Sequence, residues 1–203
     1  MHYSTHSLLT TNLYCMESTT WTQKRIDLLI RDTRQCSINN VQDIKQRIRH
    51  ALANGYPVNA ISPSGRTLLH VITDWSDFSD VALELIQAGA DPLQRDVDGD
   101  TAGHYAAYNH QLDVCRALGT AWINVKARHG YTPLYYSLMK LRESPTTATP
   151  VVQYLLPHCT EDTLRAALMQ FPEFKDMYDG EMAQRRRWTV ARAAWIAAAV
   201  CSL

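Results

Sequence analysis

Apolar residues fall at helical spacing in successive pairs of short segments along most of the chain. In KRIDLLIRDTRQ, Ile26, Leu29 and Ile30 lie on one face, as a period near 3.6 requires. IKQRIRHALANG, TLLHVITDW, VALELIQAG and VVQYLL carry comparable apolar faces. Polar or glycine-containing breaks separate them, and Gly89 stands where a helix needs a left-handed terminating residue. ADPLQRDVDGD then makes a turn-rich return to the next pair. The pattern predicts an all-α chain of helix pairs joined by short loops.

The pairs repeat. GRTLLHVI (65–72), GDTAGHYA (99–106) and GYTPLYYS (130–137) align, and Thr67, Thr101 and Thr132 stand 34 and 31 residues apart. Such self-similarity, at a period of about 33, decides the architecture before local propensity does. Ala53, Asn54 and Gly55 match Gln87, Ala88 and Gly89 thirty-four places later, so the array begins upstream of Thr67, with its first helix around KRIDLLIRDTRQ. After Thr132 regularity decays. ESPTTATP (143–150) is expected to lengthen the corner between two helices, and Pro157 to end VVQYLL. Two more helices are expected, near EDTLRAALM and from about Glu181 to Val200, with Trp188, Ala191 and Trp195 on one face of the second. This pair should cover the end of the stack. Residues 1–20 are rich in Ser, Thr and Asn and predict a disordered tail; the change of character after Met16 makes it a candidate start of translation.

GYTPL, AGADP, PVNA and the three aligned cycles resemble the ankyrin repeat family from about Lys24 through Cys159. The resemblance implies an all-α ankyrin-repeat solenoid of about four helix-pair repeats with short hairpin loops, in residues 21–159, and a C-terminal helical cap in 160–203. It also implies that the signature threonine caps the first helix and engages the nearby histidine: Thr67 with His70, and Thr101 with His104. Thr132 is followed by Tyr135 where the histidine would be, and the Thr101 repeat replaces Pro and Leu with Ala102 and Gly103. A glycine inside a helix costs about 1 kcal/mol relative to alanine, which marks the middle repeat as a soft point. Ala106, Ala107 and Ser137 are small enough to let neighbouring repeats approach.

Family members bind protein partners, usually through the concave face and hairpin tips. Carried over by position, the tips offer Ser64 and Arg66, Asp98 and Asp100, and Arg128, His129 and Tyr131. The exposed ends of the first helices offer Asp74 and Trp75, Tyr108 and Asn109, and Met139 and Lys140. Trp75 and Tyr108 stand where small or polar residues are usual, and aromatic anchors often dominate binding energy; packing against a neighbouring corner explains them equally well.

The chain has 203 residues, 46% hydrophobic, with twenty basic residues against twenty acidic ones. No net field steers it toward nucleic acid or an anionic membrane. The five cysteines (Cys15, Cys36, Cys115, Cys159, Cys201) are scattered without a Cys-x-x-Cys pair, which suits a reducing compartment, and Cys115 reads as core filler. The start lacks the pattern of a secretory signal, and the apolar run 193–200 is too short to span a bilayer. His70 and His104 recur one repeat apart, but their signature positions account for them and no ligand set of metal-binding spacing joins them. DVDGD, counted from Asp96 as a calcium loop, has Thr101 and Ala107 where glycine and glutamate are required, and reads instead as an acidic hairpin tip. Arg185, Arg186 and Arg187 form a short basic run that reads more readily as a solvated helical face than as a nuclear or phosphate-binding signal. No phosphate loop, nucleophile elbow or catalytic carboxylate pair is present.

The expectation is an intracellular, cytoplasmic monomer, with the nucleus also open to it. It is not an enzyme, uses no cofactor or metal, and acts as scaffold, adaptor or inhibitor of a protein partner. The alternative is an effector or a substrate-recruiting adaptor, for example of a ubiquitin ligase, with its second activity in the C-terminal helices.

Overall fold

The computed structural model describes residues 21–35, 40–141 and 145–185. The tail at 1–20 with its Met16 start, the first two residues of the 143–150 insertion, Arg186 and Arg187, and the Trp188, Ala191 and Trp195 face lie outside the described residues. Among the described residues four helix pairs follow one another: α1 (Gln23–Arg34) and α2 (Val41–Ala53), α3 (Leu68–Thr73) and α4 (Ser79–Gln87), α5 (Ala102–Tyr108) and α6 (Leu112–Ala117), α7 (Pro133–Leu141) and α8 (Pro145–Leu155). A further pair follows as a cap: α9 (Glu161–Gln170) and α10, from 175 to the last described residue, 185.

Each first helix packs on the next, α1 on α3, α3 on α5 and α5 on α7, while α2, α4, α6 and α8 stack beside them. No pair could bury its apolar face alone; its neighbours supply the missing surface. On α1 the buried positions are Ile26, Leu29, Ile30 and Thr33, one stripe at helical spacing. Ala106, Ala107 and Ser137 are fully buried where α5 and α7 meet, and a larger side chain there would separate the layers. Gly89 ends α4 with φ 90°.

Gly103 proves to be a packing device. A Cβ added there would meet the Trp122 ring at 2.2 Å. Trp122 is fully buried, its indole N–H donating to the Gly119 carbonyl at 2.8 Å. The propensity cost of the glycine is offset by a large aromatic lying flat on the helix, so the soft point expected in the middle repeat is instead filled. Cys115, also fully buried, has its thiol pushed up by burial to about 12, and it is inert core.

Two expectations about the last repeats change. Residues 145–150, expected in a lengthened corner, form the first turns of α8, with Pro145 as the first helical residue, where its missing N–H costs nothing. The helix expected from about Glu181 begins earlier, at 175, after a short 3-10 turn Pro172–Phe174. Pro157 does end the preceding helix, which tightens into a 3-10 turn over Leu156–His158.

Asn59 and Asn124, each eight residues before a signature threonine, show how the cap departs from a repeat. Asn59 accepts from the Asp91 amide at 2.8 Å and donates to the Gly89 carbonyl at 3.2 Å. Asn124 accepts from the Thr160 amide at 2.9 Å and donates to the His158 carbonyl at 2.8 Å. After Asp91 the chain makes a loop and hairpin. After Thr160, whose side chain caps the next helix, it makes α9 instead. That helix ends with Phe171 5.2 Å from the Tyr135 ring at the start of α7. The chain then returns along α10, where Arg185 donates to the Leu156 and Cys159 carbonyls at 2.7 and 2.9 Å and to Glu181 at 2.6 Å. Within the basic run, Arg185 is therefore a strut. No helix among the described residues is long and apolar enough to cross a membrane.

Candidate functional site

Three hairpins project from the loops before α3, α5 and α7. Each closes on a backbone bond across its base: Ser62 to Arg66, Asp96 to Asp100, and Ala127 to Tyr131, at 2.8 to 2.9 Å. They are also laced to one another, because Val97 donates to the Ser64 carbonyl at 3.2 Å and Arg128 to the Asp98 carbonyl at 2.8 Å. Gly99 (φ 80°) allows the second crossing, since a Cβ there would meet the Arg128 nitrogen at 3.1 Å.

Asp96 organises the second hairpin. Its Oδ1 accepts the Asp98 and Asp100 amides at 2.9 and 3.0 Å, the Asx-turn geometry that lets aspartate replace a backbone acceptor. Its Oδ2 accepts the Tyr105 hydroxyl at 2.7 Å and Arg66 Nε at 3.3 Å, and Arg66 also donates to the Tyr105 oxygen while lying over that ring. Burial pushes the Asp96 carboxyl up, but Tyr105, the two amides and Arg66 together hold it below the ordinary value. First hairpin, second hairpin and α5 thus share one charge-balanced knot. Asp96 was visible in the sequence only as a failed calcium ligand; its spacing two residues before the Asp98 amide is the signal that could have identified it.

At the helix starts, the Thr67 amide donates to His70 Nδ1 at 3.1 Å, and His70 Nε2 lies 3.0 Å from the Gln94 carbonyl. Thr101 and His104 repeat this at 3.1 Å, with Nε2 3.1 Å from the Val125 carbonyl. An amide can only donate and a carbonyl only accept, so both rings are neutral with the proton on Nε2. Burial depresses both, His104 to about 4. In the third repeat the Tyr135 amide is 3.5 Å from Thr132 Oγ1, and the Tyr135 ring stacks on Tyr131 at 4.1 Å. Among the described residues no group of three or more His, Cys, Asp and Glu could hold a metal ion.

The remaining candidates divide by exposure. Arg66 is largely buried in the knot, Asp100 is 6% exposed, and Ser64 is half-buried with its hydroxyl 2.9 Å from that of Ser62. Asn109 turns back to the Thr73 carbonyl at 3.1 Å. Tyr108 is half-buried, 6.3 Å from the Tyr136 ring, with Lys140 Nζ 4.9 Å above it. Asp98, Arg128 and His129 are exposed, and so are Asp74, Trp75 (37%) and Met139 (44%). Tyr136, which donates to Asp100 at 3.2 Å, carried no signal in the sequence.

The family model for ankyrin repeats matches residues 69–165, in three copies. That stretch of the chain carries ankyrin repeats, which are in general protein–protein interaction modules. No curated protein matches the chain.

Proposed function

We propose that this protein binds another protein across the face presented by α3, α5 and α7, together with the exposed tips of its hairpins. One observation carries the reading: Trp75, Tyr108 and Met139 stand seven or eight residues after the signature threonines of three adjacent repeats, and two of them are large apolar side chains left open to water. Apolar side chains recurring at one repeat position and left open to water suit a surface that a partner covers. Asp74, Asn109 and Lys140 border the row, and Asp98, Arg128, His129 and Tyr131 extend it toward the tips. Ser64, Arg66 and Asp100 contribute by holding the hairpins in position. The protein acts as an intracellular monomer, without catalysis, cofactor or metal.

The test is affinity capture with full-length protein, wild type against the double variant Trp75→Ala/Met139→Ala, with thermal melting of both. Loss of a captured protein at unchanged melting supports the surface. Retention of all captured proteins removes it, and a collapse of melting identifies the two residues as core. The adaptor alternative would use α9 and α10. Among the described residues its one supporting feature is Met169, 85% exposed, while Leu164, Ala167 and Phe174 are buried in the stack.

A further inference from the structure

At the base of the second hairpin, Asp100 faces α7 with one carboxylate oxygen satisfied and the other not. Oδ2 accepts the Tyr136 hydroxyl at 3.2 Å, whereas Oδ1 is buried with no hydrogen-bond partner. His104 Nε2 lies 4.0 Å from Oδ1, but its proton is directed to the Val125 carbonyl. The groups around Asp100 come from five elements. Its own hairpin contributes Asp96 and Asp98, and the first hairpin contributes Arg66, committed to Asp96. Helix α5 supplies His104, with Tyr105 donating to Asp96, and α7 supplies Tyr136. From the third hairpin, Arg128 lies 4.0 Å from Asp98 and donates to the Val97 carbonyl.

An ionised Asp100 is therefore a buried anion with an unsatisfied oxygen beside a second anion, an arrangement the interior penalises heavily. The neutral acid removes the charge and keeps Oδ2 as acceptor for Tyr136. Burial above all raises the carboxyl to about 6; Tyr136 and Arg66 oppose the shift, and Asp96 and Asp98 add to it. We propose that Asp100 is a proton-operated joint: as a neutral acid it seats the second hairpin against Tyr136 and α7, and on ionisation it lets the hairpin open toward water. The closed form holds the proton more tightly than an open form in which the carboxyl is solvated, so raising pH favours opening. Between pH 5 and 7.5 the Asp100 contribution to opening rises roughly tenfold. The proposal does not depend on any binding partner.

The experiment is a carboxyl-carbon NMR titration of Asp100 in the full chain, paired with amide exchange of Val97, Asp98 and Gly99 in wild type and Asp100→Asn, each rate divided by its intrinsic value. His104 is present in both proteins, so its titration cancels in their ratio. A titration midpoint near 6, with the wild-type to variant ratio of opening rising about tenfold from pH 5 to 7.5, is the expected result. A midpoint at or below 4, or the same pH dependence of exchange in both proteins, overturns the joint. The titration needs only the wild-type chain and decides the question even if Asp100→Asn fails to fold. Tyr136→Phe removes the donor that steadies the ionised form and should move the midpoint upward; a midpoint that stays or falls overturns Tyr136 as the joint's partner.

Discussion

In the repeats that begin at Thr67 and Thr101, the third residue of the first helix is a histidine whose two nitrogens tie the helix start to the loop that follows. In the repeat that begins at Thr132 the same position holds Tyr135, whose ring stacks on Tyr131 and meets Phe171. The difference follows from what comes next in the chain. His70 and His104 each reach a carbonyl of the following return loop, Gln94 and Val125. After α8 that loop is replaced by α9, which delivers an aromatic ring to the position instead. A signature residue therefore serves the junction between repeats, and it changes when its partner changes.

The sharpest break of this comparison is at the Thr101 repeat, which is held from both ends. Trp122→Ala should cost about 3–5 kcal/mol by chemical denaturation, since it removes a fully buried aromatic and leaves a cavity over Gly103. His104→Ala should cost about 2–3 kcal/mol, because the Thr101 amide and the Val125 carbonyl lose their partner together. Gly103→Ala gains about 1 kcal/mol of helix propensity but overpacks against Trp122 by about 1–3 kcal/mol. The variant should therefore melt below wild type.

Acid sharpens the comparison. The folded-state value of His104 is depressed to about 4, so its stabilising contribution is complete above about 6.5 and is lost as pH falls toward 4. Asp100 has the opposite sign: raised to about 6, it penalises the fold at neutral pH, and the penalty lifts as pH falls through 6. The two partly cancel in wild type. Asp100→Asn removes the compensation and should lose about 1 kcal/mol more than wild type between pH 7 and pH 5, measured by denaturation at each pH. The smallest effect is expected at the irregular junction: Tyr135→Ala should cost under about 1 kcal/mol, because half-open rings contribute little more than their contacts. A loss equal to that of His104→Ala would show that the tyrosine is an equivalent tie.

Much of the fold was legible from the chain itself. The helix faces and the threonine–histidine ties are local, set by residues three or four apart, and the period is the recurrence of those local motifs along the chain. The 145–150 stretch was misjudged because its prolines and threonines resemble a loop, yet Pro145 suits a helix start and Ala148, Val151 and Val152 bury one face. The early start of α10 was missed because Phe174 is fully buried in the stack while its neighbours Pro172 and Glu173 are polar or helix-breaking.

The sequence by itself determined that this is an ankyrin-type helical array and which residues begin its helices. Only the tertiary structure decided which hairpin residues turn inward. Arg66 is drawn in by Asp96 and Tyr105, thirty and thirty-nine residues away, and Asp100 is sealed under Tyr136, thirty-six residues away. Trp122 fills the space left by Gly103 at a separation of nineteen residues. Such pairings depend on where stacking brings one repeat against the next, because burial and charge balance belong to the assembled layers and not to any single segment.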